Sequence, residues 1–242
     1  MVTTIDQLLA QRDVRRGDKT GDKQLARSRA VHSQFIAKNF EVFERLRAHL
    51  FHPYHHPIFT LAQTAQALTA YFEQIGWIKP AGNQRWRISN DDSIRVYLSG
   101  GWLEELVFLA HEEAGADEVY FGQEIYWVVN GIEGKNEVDV LARRGDVLSF
   151  TSCKAIRPDK SPAHIEELRG FLNETDYWDI HFAEDKGRAL LVVTADFIDE
   201  YSNKHRYPTL AARAAILDVS IAGLEWLEWA RLVGVVDKHW KG

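Results

Sequence analysis

The chain has 242 residues, 45% of them hydrophobic and 26% charged, which is typical of a globular protein. Its single cysteine, Cys153, excludes an internal disulfide and favours a reducing compartment. The N-terminal stretch lacks the apolar core of a signal peptide, and no apolar run is long enough to span a bilayer. The sequence therefore predicts a cytoplasmic protein with no membrane partner.

Charge is distributed unevenly along the chain, although the net charge is only -6. Residues 1–100 contain 14 lysines and arginines against nine acids, whereas residues 101–242 contain 15 against 26. A basic front half and an acidic rear half suggest two units with different functions, a basic unit at 1–97 and a second domain at 98–242. An ordinary solvated surface is the alternative interpretation.

The first fifty residues combine a polar stretch with a helical pattern. Residues 4–10 predict a short helix, and "RDVRRGDKTGDKQ" predicts a mobile basic arm. Apolar residues recur at helical spacing from Ala26 to Leu50 and predict one helix. Three histidines follow in "FHPYHHP". Because prolines flank them and no carboxylate is near, a loop is favoured over a metal site.

The rest of the front half predicts a helix over residues 60–75, then a strand, a turn and a second strand that carries Arg85 and Arg87. This order resembles the end of a winged-helix unit. Such wings contact nucleic acid, but they also serve as dimerisation or linker modules. The sequence leaves both alternatives open, and it predicts a helical, winged-helix-like N-terminal region.

From Gly100 and Gly101 onwards the pattern changes to that of an α/β protein. A helix ends at Gly115, and three strand-like segments follow with glycine-containing turns between them. A second helix begins near Ser161, and the apolar run "RALLVVTAD" predicts a buried strand. The alanine-rich segment after Pro208 is predicted to be mostly helical, with a break near Ser220 as an alternative to one continuous helix. This order predicts a mixed central sheet flanked by helices.

Acidic and basic residues mark the ends of two neighbouring strands in this region. Asp139 lies in "NEVDVLAR", where Val138 and Val140 alternate with the acids, and Lys154 ends "DVLSFTSCKA". Alternation places Ser152 and Lys154 on one face of the second strand. Carboxylates of this kind hold hard divalent cations, and a lysine can offset charge on a phosphate. A surface acid and a lysine that extends into water are the alternatives.

The combination "GGWLEELV…NEVDVLARRGDVLSFTSCKA…EELRGF" resembles the PD-(D/E)XK, or restriction-endonuclease-like, nuclease superfamily. It is similar to the nuclease domain of the CRISPR-ancillary effectors that cyclic oligoadenylates activate, in which that domain follows a CARF sensor domain. The resemblance implies a catalytic Lys154 and Mg²⁺ or Mn²⁺ held by Asp139, Glu104 and the backbone carbonyl of Cys153. Glu105 is the alternative helical acid.

The chain departs from this pattern in two places. The superfamily has Asp or Glu two residues before the lysine, where this chain has Ser152, and a hydroxyl is a poorer ligand for a hard cation. Glu124 or Glu167 could supply the missing charge. Ser152 is not expected to be a nucleophile, because no histidine is placed to act as its base. Residues 1–97 also lack the alternating pattern of a CARF domain.

The sequence therefore predicts a metal-dependent endonuclease that acts on DNA more than on RNA, in defence against or processing of foreign DNA. The alternatives are a nucleic-acid-binding subunit that does not cut, and a restriction- or transposase-type subunit that cuts only with a partner. We expect a homodimer, and leave open an activating protein or nucleotide signal. The predicted nucleic-acid contacts are Arg85, Arg87, Arg143, Arg144 and Arg157.

Overall fold

A computed structural model describes residues 3–51, 63–82, 86–156, 162–183, 187–199 and 202–241. The chain divides into two compact units, one formed by His32–Trp102 and the other by Met1–Val31 together with Leu103–Gly242. This division differs from the predicted boundary at residues 97 and 98, because the first residues of the chain join the second unit. The histidine-rich loop, Arg85 and Arg157 lie outside the described residues.

The helices are α1 (Ile5–Ala10), α2 (Lys23–Ser28), α3 (Ala30–Lys38), α4 (Phe40–Phe51), α5 (Gln63–Gln74), α6 (Asp92–Val96), α7 (Trp102–Glu113), α8 (Pro162–Phe182), α9 (Pro208–Ile216) and α10 (Trp229–Lys241). The strands are β1 (Val14–Arg16), β2 (Ile78–Pro80), β3 (Trp86–Ile88), β4 (Glu118–Val129), β5 (Ile132–Arg144), β6 (Val147–Lys154), β7 (Gly187–Val193), β8 (Ile198–Asp199), β9 (Lys204–His205) and β10 (Val219–Ala222).

The larger unit is built on a six-stranded sheet in the order β1-β4-β5-β6-β7-β10. Strands β4, β5 and β6 form an antiparallel meander. Helix α8 then connects β6 to β7, and both the β6–β7 pair and the β7–β10 pair are parallel. The predicted mixed sheet flanked by helices is confirmed.

Helices cover both faces of this sheet. On one face, Trp178 and Phe182 of α8 join Leu141 and Phe150 in an apolar cluster. On the other face, the ring of Phe108 in α7 lies 5.0 Å from the ring of Phe121 in β4. Apolar layers on both sides explain why the central strands read as nearly continuous hydrophobic runs.

The prediction of a mobile basic arm is wrong for residues 14–21. Strand β1 pairs with β4, with Arg15 opposite Tyr126, so the N-terminal segment forms an edge of the main sheet. Ile5 and Leu9 of the preceding helix α1 are fully buried, and Val14, the first residue of β1, is nearly so. The sequence signal was weak because a strand of three residues offers one buried position.

Two predicted helices are also corrected. The periodic stretch from Ala26 to Leu50 forms α2, α3 and α4, which are separate helices. The alanine-rich C-terminal segment is interrupted near Ser220, as the alternative interpretation expected, and the interruption is a strand, β10, between α9 and α10. Asp218, with φ of 54°, turns the chain out of α9 and into that strand. A four-residue strand paired with β7, far away in sequence, leaves little local pattern.

The unit His32–Trp102 packs its helices through aromatic side chains. Phe43 of α4 and Phe72 of α5 meet edge to face, with ring centroids 6.2 Å apart, and both are fully buried. Strands β2 and β3 form an antiparallel hairpin that exposes Arg87. Helices followed by a hairpin agree with the predicted order of elements, while the winged-helix assignment stays a prediction. Among the described residues of the chain, no helix is long and apolar enough to cross a membrane.

Candidate active site

Asp139 lies where the β4–β5 ladder is interrupted. Pairing runs from Phe121–Val140 directly to Gln123–Val138, so Gly122 and Asp139 are opposite each other but are not paired. Gly122 has φ of +52°, a left-handed conformation that favours glycine. Val138 and Leu141 belong to one apolar cluster although they are three residues apart, so the predicted simple alternation is wrong here.

Three donors from β6 converge on a single oxygen of Asp139. Oδ2 accepts hydrogen bonds from the backbone N–H of Cys153 at 2.7 Å and from Ser152 Oγ at 3.3 Å. The ammonium of Lys154 lies 3.3 Å from the same oxygen. Within the described residues Oδ1 has no hydrogen-bond partner, and it is therefore available to a ligand.

Lys154 is partly buried between two carboxylates. Besides Asp139, its Nζ lies 3.9 Å from Glu174 Oε2 of α8, and it also approaches the ring of Phe171 at 5.4 Å. Burial alone would lower the pKa of this lysine, but Asp139 and Glu174 together overcome that effect and raise the pKa above its ordinary value. Lys154 is thus held as a cation at the end of β6.

Glu104 reaches the same region from the first turn of α7. Burial, followed by the charges of Asp139 and Glu137, raises the pKa of Glu104 to about 8. No hydrogen bond or ion pair to this carboxylate occurs in the part of the chain that the structure describes. A partly buried carboxylate beside two other acids is costly unless a cation is present or it takes up a proton.

The other three candidate acids, Glu105, Glu124 and Glu167, each have a different partner. Glu105 points to Arg29, whose guanidinium lies 3.1 Å from its carboxylate, and burial raises the pKa of Glu105 to about 7. Glu124 pairs with Lys135 at 2.7 Å, and this contact lowers its pKa. Neither side chain is shown at Asp139. Glu167 is exposed and lies 3.8 Å from His164.

Of the predicted nucleic-acid contacts, Arg143 and Arg144 are described in the same unit as this site, and both pair with other acids. Arg143 is buried and pairs with Asp117 at 3.0 Å, so its guanidinium is used within the fold. Arg144 is half-exposed, 3.4 Å from Asp237 of α10. Both arginines lie at the C-terminal end of β5, after Asp139 in the strand and far from its first residue, Ile132.

Sequence reasoning missed four residues around Asp139. Glu174 lies seven residues, or about two helical turns, after Glu167 on the same face of α8, so a search for acids at that spacing would have found it. Glu137 was visible two residues before Asp139 but was treated only as part of the strand pattern. Gly122 and Lys19 carried no local signal, because their roles depend on β4 and β1 pairing in the sheet.

The donor set can be compared with the needs of a hard divalent cation. In the described part of the chain, no group of three or more His, Cys, Asp or Glu side chains is arranged to hold a metal ion. Mg²⁺, however, commonly keeps several waters and binds through one or two carboxylates. The free oxygen of Asp139 and the unpartnered carboxylate of Glu104 fit this second mode.

Two solved structures match nearly the whole chain in fold. Protein VC1899 from Vibrio cholerae has a TM-score of 0.71 at 17% identity, and the match covers 99% of this chain and 62% of that one. Can2 from Sulfobacillus thermosulfidooxidans, solved in complex with cyclic tetra-adenylate, has a TM-score of 0.62 at 17% identity, with the same coverage. The chain has a Can2-like fold.

This likeness has two limits. The chain spans about 62% of the length of these Can2-like structures, and at 17% identity the match establishes the fold alone. No protein-family model matches the chain, and no curated protein matches it in sequence. The fold alone does not assign a function, and the residues around Asp139 carry the chemical information.

Proposed function

We propose that the protein is a divalent-metal-dependent nuclease that hydrolyses phosphodiester bonds, with DNA as the preferred substrate. The observation that carries this proposal is the meeting of Asp139, Lys154 and Glu104 from three separate elements. Their order along the chain is that of the PD-(D/E)XK motif, and they lie in a Can2-like fold. We place the larger unit in the restriction-endonuclease-like class on these grounds.

The cation, Mg²⁺ or Mn²⁺, would bind to Asp139 and Glu104, with the backbone carbonyl of Cys153 as a further ligand. When bound, such an ion polarises a phosphoryl oxygen and lowers the pKa of a bound water. The fold prepares Asp139 for this role, because the three donors on Oδ2 fix the carboxylate and leave Oδ1 free. Glu104 supplies the second negative charge.

Lys154 serves the phosphate in this proposal. Its charge is maintained by Asp139 and Glu174, and its side chain keeps about a quarter of its surface, 23%, open to solvent. An ammonium fixed in a partly buried position stabilises negative charge that develops on phosphorus more strongly than one in water. Lys154 also offsets the repulsion between a phosphodiester and the neighbouring carboxylates.

The PD-(D/E)XK motif has an acid two residues before the lysine, whereas this chain has Ser152. The role of Ser152 therefore differs from that of a metal-binding acid. Its hydroxyl donates to Asp139, so it orients that carboxylate and adds no negative charge. A site with one acid fewer holds a divalent cation more weakly. Ser152→Glu should therefore bind Mn²⁺ more tightly.

The second candidate function is nucleic-acid binding without cleavage, or cleavage only with a partner. The serine at position 152 favours this alternative, because it removes a carboxylate from the cation site.

We propose that the β2–β3 hairpin is a winged-helix-like element that contacts nucleic acid through Arg87. Control by a cyclic oligoadenylate is a further proposal, suggested by the ligand bound in the Can2 structure.

The test is cleavage of plasmid, single-stranded DNA and RNA with Mg²⁺, Mn²⁺ or EDTA. We expect metal-dependent cutting that Asp139→Asn and Lys154→Met each reduce by at least about 100-fold. Asp146→Asn changes an exposed acid in the turn before β6 and should cut normally. Cutting that persists in EDTA or in Asp139→Asn would contradict the proposal. Metal-dependent DNA retention without cutting would favour the second candidate.

A further inference from the structure

Lys19 brings a second lysine to the acids of the candidate site. Its ammonium forms an ion pair with Oε2 of Glu137, two residues before Asp139 on β5. The two side chains keep 62% and 38% of their surface open to solvent. The pair therefore lies at the rim of the site, where dissolved ions can reach it.

The segment that carries Lys19 is firmly bonded to β4. The N–H of Gly17 donates to the carbonyl of Glu124 at 2.8 Å, and the N–H of Glu124 donates to the carbonyl of Lys19 at 3.1 Å. The side-chain amide of Gln123 is fully buried, and its Nε2 donates to the backbone carbonyls of Gly17 and Lys19 at 3.0 and 3.1 Å. The backbone of Lys19 is thus fixed beside the sheet.

Glycines at both ends allow this close approach. A Cβ on Gly17 would lie 2.6 Å from the ring of Tyr126, and a Cβ on Gly21 would overlap the ring of Phe121. The N–H of Gly21 also donates to the carbonyl of Phe121 at 2.6 Å. Only residues without side chains fit at these two positions, so the fold is built to hold the segment between them against β4.

Glu137 in turn belongs to the acid group. A Cβ built on Gly122 would lie 3.9 Å from Glu137 Oε1 and 4.0 Å from Glu104 Oε2, so the two carboxylates approach the same point. Asp139 is opposite Gly122 in the sheet. Of these three carboxylates, Asp139 is paired with Lys154 and Glu137 with Lys19, while Glu104 has no cationic partner among the described residues.

We propose that the Lys19 ammonium takes the place of a second divalent cation at Glu137, so that the site holds one metal ion, at Asp139 and Glu104. This inference rests on the proposed function, because it concerns the same cation site. Lys19 is a specificity-determining residue in this proposal. It neutralises Glu137 without adding a Lewis acid, and its positive charge opposes a second ion beside the first.

The expected effect is moderate, because an exposed ion pair holds its partner weakly. Removing the ammonium frees Glu137 and also removes a positive charge near the bound ion. Both changes favour Mn²⁺. We expect Lys19→Met to bind Mn²⁺ about three- to ten-fold more tightly than the original chain, or to bind a second ion.

Mn²⁺ titration followed by electron paramagnetic resonance, which counts free ions, provides the test and requires no cleavage. Lys135→Met is the matched control, because Lys135 pairs with Glu124, which lies opposite Glu137 in the sheet, and because Lys135 and Lys19 have similar exposure. We expect this control to change affinity by less than about two-fold. Lys19→Arg should behave like the original chain, and Lys19→Met combined with Glu137→Gln should lose the gain.

The outcomes separate the two proposals. Equal or weaker Mn²⁺ binding by Lys19→Met, with binding in the original chain that depends on Asp139, would overturn the role of Lys19 and leave the nuclease proposal intact. Binding that appears only in Lys19→Met and requires Glu137 would support the role of Lys19 and contradict the metal site at Asp139. Absence of Mn²⁺ binding in every variant would overturn both.

Discussion

Asp179 of α8 shows how burial changes a single carboxyl group. Burial, with the nearby charge of Asp218, raises its pKa to about 6 although Arg188 acts in the opposite direction. Its Oδ1 is buried without a hydrogen-bond partner within the described residues. The same oxygen occupies the space where a Cβ on Gly187 would lie, so α8 packs directly on the start of β7 at this point.

Asp179→Asn should stabilise the protein in a pH-dependent way. The folded pKa lies above the ordinary value of 3.8, so ionisation of Asp179 costs stability as pH rises from about 4 to about 6 and the cost persists above that. We expect a gain of about 1 kcal/mol at pH 8, or about 2–4 °C in Tm, because solvent screens part of the effect.

Thermal unfolding at pH 4, 6 and 8 would measure this difference. The gain should shrink towards zero at pH 4, where Asp179 is protonated in the folded state. Glu166→Gln, an exposed position on the same helix, should show no such trend. A constant difference across the three pH values would indicate an effect of packing and not of charge.

At the candidate site, the sequence motif and the strand pattern identified three residues that the structure brings into contact, while their catalytic role stays a prediction. Asp139, Ser152 and Lys154 were expected on neighbouring strands, and the structure brings them within hydrogen-bonding distance. Glu137 and Glu174 were not predicted. Each is an ordinary surface acid in its own element, and it becomes part of the site only through the position of another element.

The segment from Gly17 to Gly21, which follows β1, packs closely against β4, and a substitution tests this packing directly. Gly21→Ala would force a methyl group against the ring of Phe121, which is 7% exposed and has little freedom to move. We expect a loss of about 1–3 kcal/mol in the free energy of unfolding. Gly170→Ala in α8 has open space around it and should instead gain about 0.5–1 kcal/mol.

Chemical denaturation of both variants would check this expectation. If Gly21→Ala were as stable as the original chain, the segment would not depend on its close approach to β4. Hydrogen exchange at the Gly21 amide, which donates to the carbonyl of Phe121, would then show whether that bond had been lost.

Long elements with a strong pattern were predicted, whereas two short strands of the main sheet were not. The meander β4–β6 and helix α8 have many residues that repeat one pattern, so local sequence indicated them. Strands β1 and β10 have three and four residues, and each is stabilised by a partner strand far away in sequence. A strand of that length is defined by its neighbour more than by its own residues.

At the scale of the whole molecule, the proposed function would allow a single candidate site to hydrolyse only one strand of a duplex at a time. The sequence predicts a homodimer, in which two sites would act together, and this stays a prediction. If the protein is a dimer, the yield of linear plasmid should increase more than proportionally with protein concentration below the dimerisation constant. The yield of nicked plasmid should increase in proportion to protein concentration. Light scattering over the same concentrations should show mass increasing from the 27.8 kDa of one chain.

Strict proportionality for both products, with a constant mass of one chain, would contradict the dimer. Trp226, in the turn between β10 and α10, keeps 39% of its surface open to solvent, and an exposed tryptophan is a typical interface anchor. Trp226→Ser should weaken self-association if that turn takes part. If Trp226→Ser self-associates like the original chain, the dimer interface lies on another surface.

Sequence alone determined the class of fold, the order of the meander and the residues Asp139 and Lys154. These follow from local periodicity and from a motif whose members lie within 16 residues of one another. Tertiary structure decided that Glu104 rather than Glu105 lies near Asp139, that the N-terminal segment belongs to the sheet, and that Lys19 meets Glu137. These contacts join residues about 35 to 118 positions apart, and they depend on the folding of the whole chain around a common core.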